Sequence, residues 1–279
     1  QPEIVFHLAA QPLVRQSYVD PATTFSTNVM GTVSLFEAVR DSDSVRAVLN
    51  VTTDKCYLER DSLWGYREDD SVGGRDPYSS SKACSELVST AFRNSFFRKA
   101  GIGLATARAG NVIGGGDWSE NRLIPDCVKS WAKNQKVFIR NPKSTRPWQH
   151  VLEAVSGYLL LGLILKKNKK LHGEAFNFGP IETKNYKVLF LVRLMRKYWS
   201  KVSWKVITKN SFYESNLLKL NVNKAKNKLK WKSILTFKET VKMVTDWYKN
   251  YYTNPKKISE TSFNQIKKYE KFLNERSIK

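Results

Sequence analysis

Tyr78 and Lys82 stand four residues apart in Asp76-Pro77-Tyr78-Ser79-Ser80-Ser81-Lys82, and Thr53-Asp54-Lys55 begins 25 residues upstream of that tyrosine. Residues four apart share one face of a helix. A lysine ammonium beside a phenol stabilises the phenolate and lowers its pKa from about 10. The product is a general base that works near neutral pH. A Thr hydroxyl at a strand end can hold a substrate oxygen beside that phenol. The acid next to the Thr can then carry a second proton transfer.

The spacing alone is weak evidence, because short motifs recur by chance in a Lys-rich chain. Tyr252 and Lys256 form a second such pair, in a basic tail with no strand before it, and read as accident. The first pair gains its weight from its setting: an apolar strand, the Thr-Asp pair, then Pro77 opening a helix.

Elements must position these residues. Ile4-Val5-Phe6, running into His7-Leu8-Ala9-Ala10, reads as a buried parallel strand. Pro21 to Val39 has helical spacing, with Phe25, Val29, Val33, Phe36 and Val39 as its core stripe. Ala47 to Val51 is a second strand, delivering Thr53-Asp54 at its C-terminal end. Tyr57 to Gly74 reads as a polar loop, Pro77 to Lys99 as a long helix, and Leu104 to Arg108 as a third strand ending in Asn111. Strands alternating with helices predict a parallel α/β sheet, which binds ligands beyond its C-terminal strand ends. After Asn111 the pattern changes. A glycine-rich loop, 114–118, leads to a helix over Leu123 to Ala132 and a short strand over Lys136 to Arg140. A helix from Val151 to Leu165 and a returning strand, Ala175 to Phe178, come next. Helices are expected over Asn185 to Trp199 and Thr236 to Tyr248. A stripe of Phe263, Ile266, Tyr269 and Phe272 predicts a terminal amphipathic helix.

Composition excludes some classes. No stretch of 18 uninterrupted apolar residues occurs, so no membrane span is expected. No signal peptide is visible. The three cysteines, Cys56, Cys84 and Cys127, are odd in number and far apart, which fits a reducing cytoplasm and no metal site. The net charge of +22 is lopsided: residues 1–150 carry 19 basic and 16 acidic side chains, residues 151–279 carry 28 and 9. Such a half could bind nucleic acid. The excess is scattered Lys without an Arg cluster, however, and reads as a solvated surface. An anionic substrate benefits in either case.

Longer strings carry a resemblance. They are His7-Leu8-Ala9-Ala10-Gln11-Pro12, Asn28-Val29-Met30-Gly31-Thr32, Thr53-Asp54-Lys55-Cys56-Tyr57, Tyr78 to Lys82 and Ala109-Gly110-Asn111-Val112-Ile113. Arg122-Leu123-Ile124-Pro125-Asp126, Arg146-Pro147-Trp148-Gln149-His150 and Phe176-Asn177-Phe178-Gly179-Pro180 continue them. Together they resemble the extended short-chain dehydrogenase/reductases of the NAD-dependent epimerase/dehydratase family, in the CDP-glucose 4,6-dehydratase branch. The likeness is dense over residues 1–180 and looser beyond. Thr-Asp-Lys, where dTDP-glucose dehydratases carry Thr-Asp-Glu, points to the CDP-sugar branch.

The resemblance implies a Rossmann-like doubly wound parallel sheet lacking its first βαβαβ half, with a smaller α/β substrate domain. Residues 1–113, with 147–180 returning, would form an incomplete NAD-binding domain. Residues 114–146 and 181–253 would bind the nucleotide sugar, and 254–279 would be a basic C-terminal helix or tail. The glycine-rich dinucleotide fingerprint is absent from the 279 residues. Alone, they are expected to fold poorly and bind NAD weakly, since the pyrophosphate loses its helix N-terminus.

The resemblance also implies roles. Tyr78 takes the sugar 4-hydroxyl proton while hydride leaves C4 for NAD. Lys82 lowers the Tyr pKa and holds the nicotinamide ribose. Thr53 hydrogen-bonds the 4-oxygen, and Asp54 protonates the departing 6-hydroxyl. Lys55 stands where relatives carry the Glu that removes the C5 proton; it either acts as a deprotonated base or orients a water or another group. Asn28 organises a water-lined proton path. His7, Ala9 and Ala10 lie beside the cofactor. Asn111 and Arg146 hold the substrate diphosphate, and Leu123, Ile124 and Pro125 sit against the cytosine. Trp118 and Trp148 fit either pocket walls or core packing. Glu214 to Leu220 resembles a late substrate-domain segment without an assigned role. A CDP-sugar substrate, deoxysugar biosynthesis for lipopolysaccharide O-antigen and a homodimer of the intact protein follow from the same likeness. Two alternatives stand beside it: a nucleotide-sugar 4-epimerase, and an inactive truncated remnant with a basic binding surface.

Overall fold

The computed structural model describes residues 1–60, 64–180, 186–207 and 219–277. The chain divides into two compact units. The first comprises Gln1–Gly110, Val155–Gly179 and Leu218–Trp231; the second comprises Asn111–Ala154, Pro180–Leu217 and Lys232–Lys279.

The first unit is built on a four-stranded parallel sheet, in the spatial order Ile4–His7, Ala47–Val51, Gly103–Ala109, Ala175–Phe178. Ile4 lies opposite Ala47, Ala47 opposite Gly103, and Thr106 opposite Ala175. The two central strands are almost wholly buried, as expected where helices cover both faces of a parallel sheet, and Asn50, Thr106 and Arg108 are polar residues among their apolar ones. Phe36, Val39, Val48, Phe97, Ile102 and Leu104 form one core cluster, with Phe36 and Phe97 meeting edge to face at 5.5 Å. Fully burying each such ring is worth about 1.5–3 kcal/mol. Elsewhere Phe178 packs edge-on against Tyr158 and Trp231. Gly157 lets that ring approach the helix Val151–Lys167 closely.

The helix Pro77–Phe92 starts where the sequence says it should. Pro77 occupies its first turn, and Asp76 caps it by accepting from the Ser79 amide at 3.0 Å and the Ser79 hydroxyl at 2.5 Å.

Several expectations need correcting. The helix from Pro21 onward is not uniform. Pro21–Phe25 and Gly31–Arg40 are α-helical, and Ser26–Met30 between them is a π turn. A π turn holds an extra residue and rotates everything after it. The buried face therefore runs through Thr24, Asn28, Thr32, Phe36 and Val39, while Phe25 is 37% exposed and Val29 and Val33 are half-buried. A second π turn, Arg93–Phe97, interrupts the expected helix over Pro77 to Lys99 and puts Phe97 in the core. The loop 57–74 is polar in composition, yet Tyr57 and Tyr66 are buried and stacked at 5.1 Å. Isolated bridges, Tyr57 to Val72 and Tyr66 to Leu220, pin it. Of the expected segment Glu214 to Leu220, residues 214–218 lie outside the described residues.

The second unit has its own core around Trp131, Leu191, Met195, Val241, Val244 and Tyr248. Among the described residues three short ladders brace it: Val137–Ile139 with Trp204–Val206, Val112–Ile113 with Gln149–His150, and Thr145–Arg146 with Tyr186–Lys187. The helix expected from Asn185 is described as Val188–Arg196, and Asn185 itself lies outside the described residues. The helix Phe237–Thr253 opens with a capping box between Thr236 and Glu239. The terminal helix, Ile258–Ser277, buries Tyr269, but Phe263 and Ile266 stay exposed. Only the later half of the expected stripe is covered. Residues 254–279 cluster with the second unit, and 218–231 with the first.

Gly157→Ala tests the close approach. An added Cβ would stand 2.4 Å from Phe178 Cδ1 and Cε1. Forcing the ring aside is expected to destabilise by about 1–3 kcal/mol, read as a lower urea midpoint with an unchanged slope.

Candidate active site

The C-terminal ends of the central strands and the helix Pro77–Phe92 frame the site in the first unit. Tyr78, Lys82 and Glu86 follow one another at four-residue intervals on one face of that helix, and all three are buried. Lys82 Nζ donates to the Val51 carbonyl at 3.1 Å. Burial drives its pKa down to about 8, and the nearby Glu86 and Cys56 oppose that fall. It remains largely an ammonium at neutral pH.

Thr53 and Asp54 sit in a short 3-10 turn after the second strand, and both are buried. Thr53 Oγ1 donates to Asp54 Oδ1 at 3.1 Å and accepts from the Lys55 amide at 3.3 Å. The Lys55 side chain is half-buried. Gly110 is shaped to this carboxylate, because a Cβ there would lie 1.8 Å from Asp54 Oδ2. Tyr158, on the helix Val151–Lys167, is drawn into the same place. Burial pushes its phenol up, and the charges of Tyr78 and Asp54 push it further. Tyr158 is thus a neutral hydroxyl beside both groups.

Asn28 stands in the π turn. Its amide nitrogen donates to Ser81 Oγ at 2.8 Å and to the Gln11 carbonyl at 3.1 Å, and its oxygen accepts from the Gln11 amide at 2.8 Å. It joins the loop after the first strand to the helix that carries Tyr78. His7 lies 3.4 Å from Thr32 Oγ1. Burial, then the charge of Lys82, lower its pKa, so it is neutral at physiological pH. Ala9 is exposed and Ala10 half-buried in the loop that follows.

The remaining expected residues belong to the second unit. Asn111 has a left-handed backbone, φ 51°, and its carbonyl accepts from the Gln149 amide at 3.2 Å. Leu123, Ile124 and Pro125 open the helix Leu123–Ala132; Ile124 and Pro125 are buried, and Leu123 is half-buried. Arg146 lies in a two-residue strand and donates to the Thr145 carbonyl at 2.9 Å. Trp148 is buried in the unit's core, and Trp118 joins an aromatic group with Trp247, Tyr248 and Tyr251. No cluster of metal-ligating side chains occurs among the described residues.

Sequence reasoning missed Tyr158, Thr52, Glu86, Arg108 and Tyr57. Only Glu86 left a local signal, standing one turn beyond Lys82. The others are brought in by tertiary packing.

A parallel α/β sheet with a buried Tyr-x-x-x-Lys face at its C-terminal edge defines an enzyme of the short-chain dehydrogenase/reductase type. The sequence model of the family "GDP-mannose 4,6 dehydratase" matches residues 1–244. The CDP-glucose 4,6-dehydratase of Salmonella typhimurium is 50% identical over 255 residues, covering 89% of this chain and 71% of that protein. Among solved structures, a UDP-glucuronic acid 4-epimerase from Bacillus cereus, in complex with its sugar nucleotide and NAD, superposes with a TM-score of 0.78. It is 20% identical, over 90% of this chain and 76% of that one. A dTDP-glucose 4,6-dehydratase from Bacillus anthracis, bound to NAD, gives 0.72 at 22% identity, over 91% and 75%. The chain belongs to the GDP-mannose 4,6 dehydratase family, a family of nucleotide-sugar enzymes.

Gly110→Ala is expected to leave the fold intact and displace the Asp54 carboxylate. A misplacement of about 1 Å costs on the order of 100-fold in turnover. Steady-state kinetics on a variant with an unchanged melting curve checks this.

Proposed function

We propose that this chain is an NAD-dependent nucleotide-sugar 4,6-dehydratase that converts CDP-glucose to CDP-4-keto-6-deoxyglucose. One observation carries the proposal. Thr53, Asp54, Tyr78 and Lys82 are buried together in the first unit of a chain half-identical to a CDP-glucose dehydratase. NAD, when bound, would supply a hydride acceptor for the sugar C4 and a hydride donor for C6. The residues present fit the nicotinamide side of that group: a buried ammonium one turn from a phenol, a neutral His7, and two alanines that leave the backbone open after the first strand.

Tyr78 takes the proton of the 4-hydroxyl, and Lys82 makes that transfer favourable at neutral pH. Thr53 donates to the developing 4-oxygen. The ketone acidifies the C5 hydrogen, and Asp54 in its protonated form gives its proton to the departing 6-hydroxyl, which leaves as water. Lys55 borders the same turn and either removes the C5 proton or orients the group that does. Asn28 holds the loop after the first strand against the site helix and orders the polar path between them. The first unit carries the cofactor-side groups. Asn111 and Arg146 hold the substrate diphosphate, and Leu123, Ile124 and Pro125 sit against the cytosine. The cytoplasm suits the three free cysteines.

The runner-up is a nucleotide-sugar 4-epimerase, whose fold this chain shares. Epimerisation needs no acid for a leaving hydroxyl, so the buried Asp54 favours the dehydratase. Incubating CDP-glucose and NAD with the intact enzyme decides between them. A 4-keto-6-deoxy product supports the proposal, and a 4-epimer overturns it. In the same assay Tyr78→Phe is expected to abolish turnover, with little loss of substrate binding by calorimetry, since it removes only a proton acceptor. Activity within tenfold of the parent would remove Tyr78 from its role.

A homodimer is part of the proposal. The helical stretches 21–39 and 77–99, the pair expected to meet between subunits, present Met30 and Leu87 at 55% and 58% exposure, with Phe25 and Phe96 also exposed. A self-complementary contact between two copies would cover such a face. Light scattering of the intact protein is expected to give twice the chain mass, and a monomer mass over the working concentration range would refute it.

A further inference from the structure

Glu86 lies one turn beyond Lys82, buried, and its carboxylate is fully engaged. Oε1 accepts from Arg108 Nε at 2.9 Å and from Thr52 Oγ1 at 2.5 Å. Oε2 accepts from Arg108 Nη2 at 2.9 Å and from Thr106 Oγ1 at 2.8 Å. The second guanidinium edge is occupied too: Arg108 Nη1 donates to Tyr57 Oη at 2.9 Å and to the Glu68 carbonyl at 3.1 Å. Tyr57 then donates to Asn177 Oδ1 at 2.7 Å.

A buried ion pair is a poor source of stability, because desolvation consumes most of the attraction. An apolar pair of similar volume would hold the fold as well. What an apolar pair cannot supply is a negative charge next to Lys82. Four titratable groups face that ammonium from the elements packed around it. His7 comes from the first strand, Cys56 from the 3-10 turn, and Tyr78 and Glu86 from its own helix. His7 is held neutral by burial, and burial likewise keeps the Cys56 thiol protonated. Glu86 is the anion of the set. Its clamp also ties the helix to both neighbouring strands: Thr52 directly precedes Thr53, and Thr106 and Arg108 share one face of the third strand.

We propose that Glu86 is a positioning residue for the reaction, one that keeps Lys82 charged and sets the Tyr78–Lys82 face against the Thr53 turn through its clamp to Arg108, Thr52 and Thr106. The inference rests on Tyr78 being the base. Glu86 touches neither substrate nor cofactor; it acts through Lys82.

The test is the pH profile of kcat/KM for the intact enzyme with CDP-glucose and NAD. Glu86→Gln keeps the volume and removes the charge. Lys82 then sheds its proton more readily, and the alkaline limb of the profile, where the ammonium is lost, moves down by about one pH unit. Glu86→Asp keeps the charge and is expected to return the limb towards its parental position at a reduced kcat. Arg108→Met leaves Glu86 unpaired and moves the limb the other way. The double variant Glu86→Gln/Arg108→Met removes the pair without orphaning a charge. It is the form expected to fold even if the single variants do not, and its limb is displaced downward. A uniform loss of kcat/KM with an unmoved limb would make the clamp merely structural and overturn the proposal. So would failure of every variant to fold. If Tyr78→Phe is inactive while the limb stays fixed, this inference alone fails; if Tyr78→Phe remains active, the assignment beneath it fails.

Discussion

A lysine ammonium held out of water is the constraint on which the first unit turns. In the proposed mechanism Lys82 must stay charged to make Tyr78 basic, and burial works against that charge. The surrounding fold offsets this by position. The Val51 carbonyl points at the ammonium from a strand end, Glu86 supplies a negative charge one turn away, and His7 stays neutral rather than adding a competing cation. Each comes from a different part of the sheet-and-helix frame, so register errors in any strand would be felt at one nitrogen.

That frame explains why the polar content of the core is high. Asn28, Thr32, Asn50, Ser81, Ser85 and Ser89 are all buried, and they pair with one another. Asn50 Nδ2 reaches both Ser85 and Ser89, and Thr32 meets Ser85 at 3.0 Å. A buried polar network that is largely satisfied specifies one packing more sharply than an apolar seam, which tolerates slippage. Here it fixes the Pro77–Phe92 helix against the π-containing helix and the second strand.

What could be read from the sequence was local or periodic. The apolar runs of the strands, Pro77 behind Asp76 and the Tyr78–Lys82 spacing need only neighbours in the chain, and the sheet and helix appear where those signals lie. The π turn at Ser26–Met30 defeated a stripe argument because that argument assumes 3.6 residues per turn throughout. Tyr158 and Arg108 carry no mark in their own segments; they reach the site only when Val151–Lys167 and the third strand pack. Gly110 looked like one glycine among several. Its meaning appears once the Asp54 carboxylate occupies the space its missing side chain leaves.

The π turn has one more consequence. A wide turn lets the helix carry one residue more than regular α geometry needs while its two flanks stay in phase. Deleting Thr27 would let that turn close to regular α geometry, with Thr32 still against Ser85 and Phe36 still against Phe97. Adding one residue within Gly31–Arg40, where no wide turn absorbs it, would instead turn everything beyond it by about 100°. Along one helix, the same change in count is absorbed at one turn and transmitted at the next.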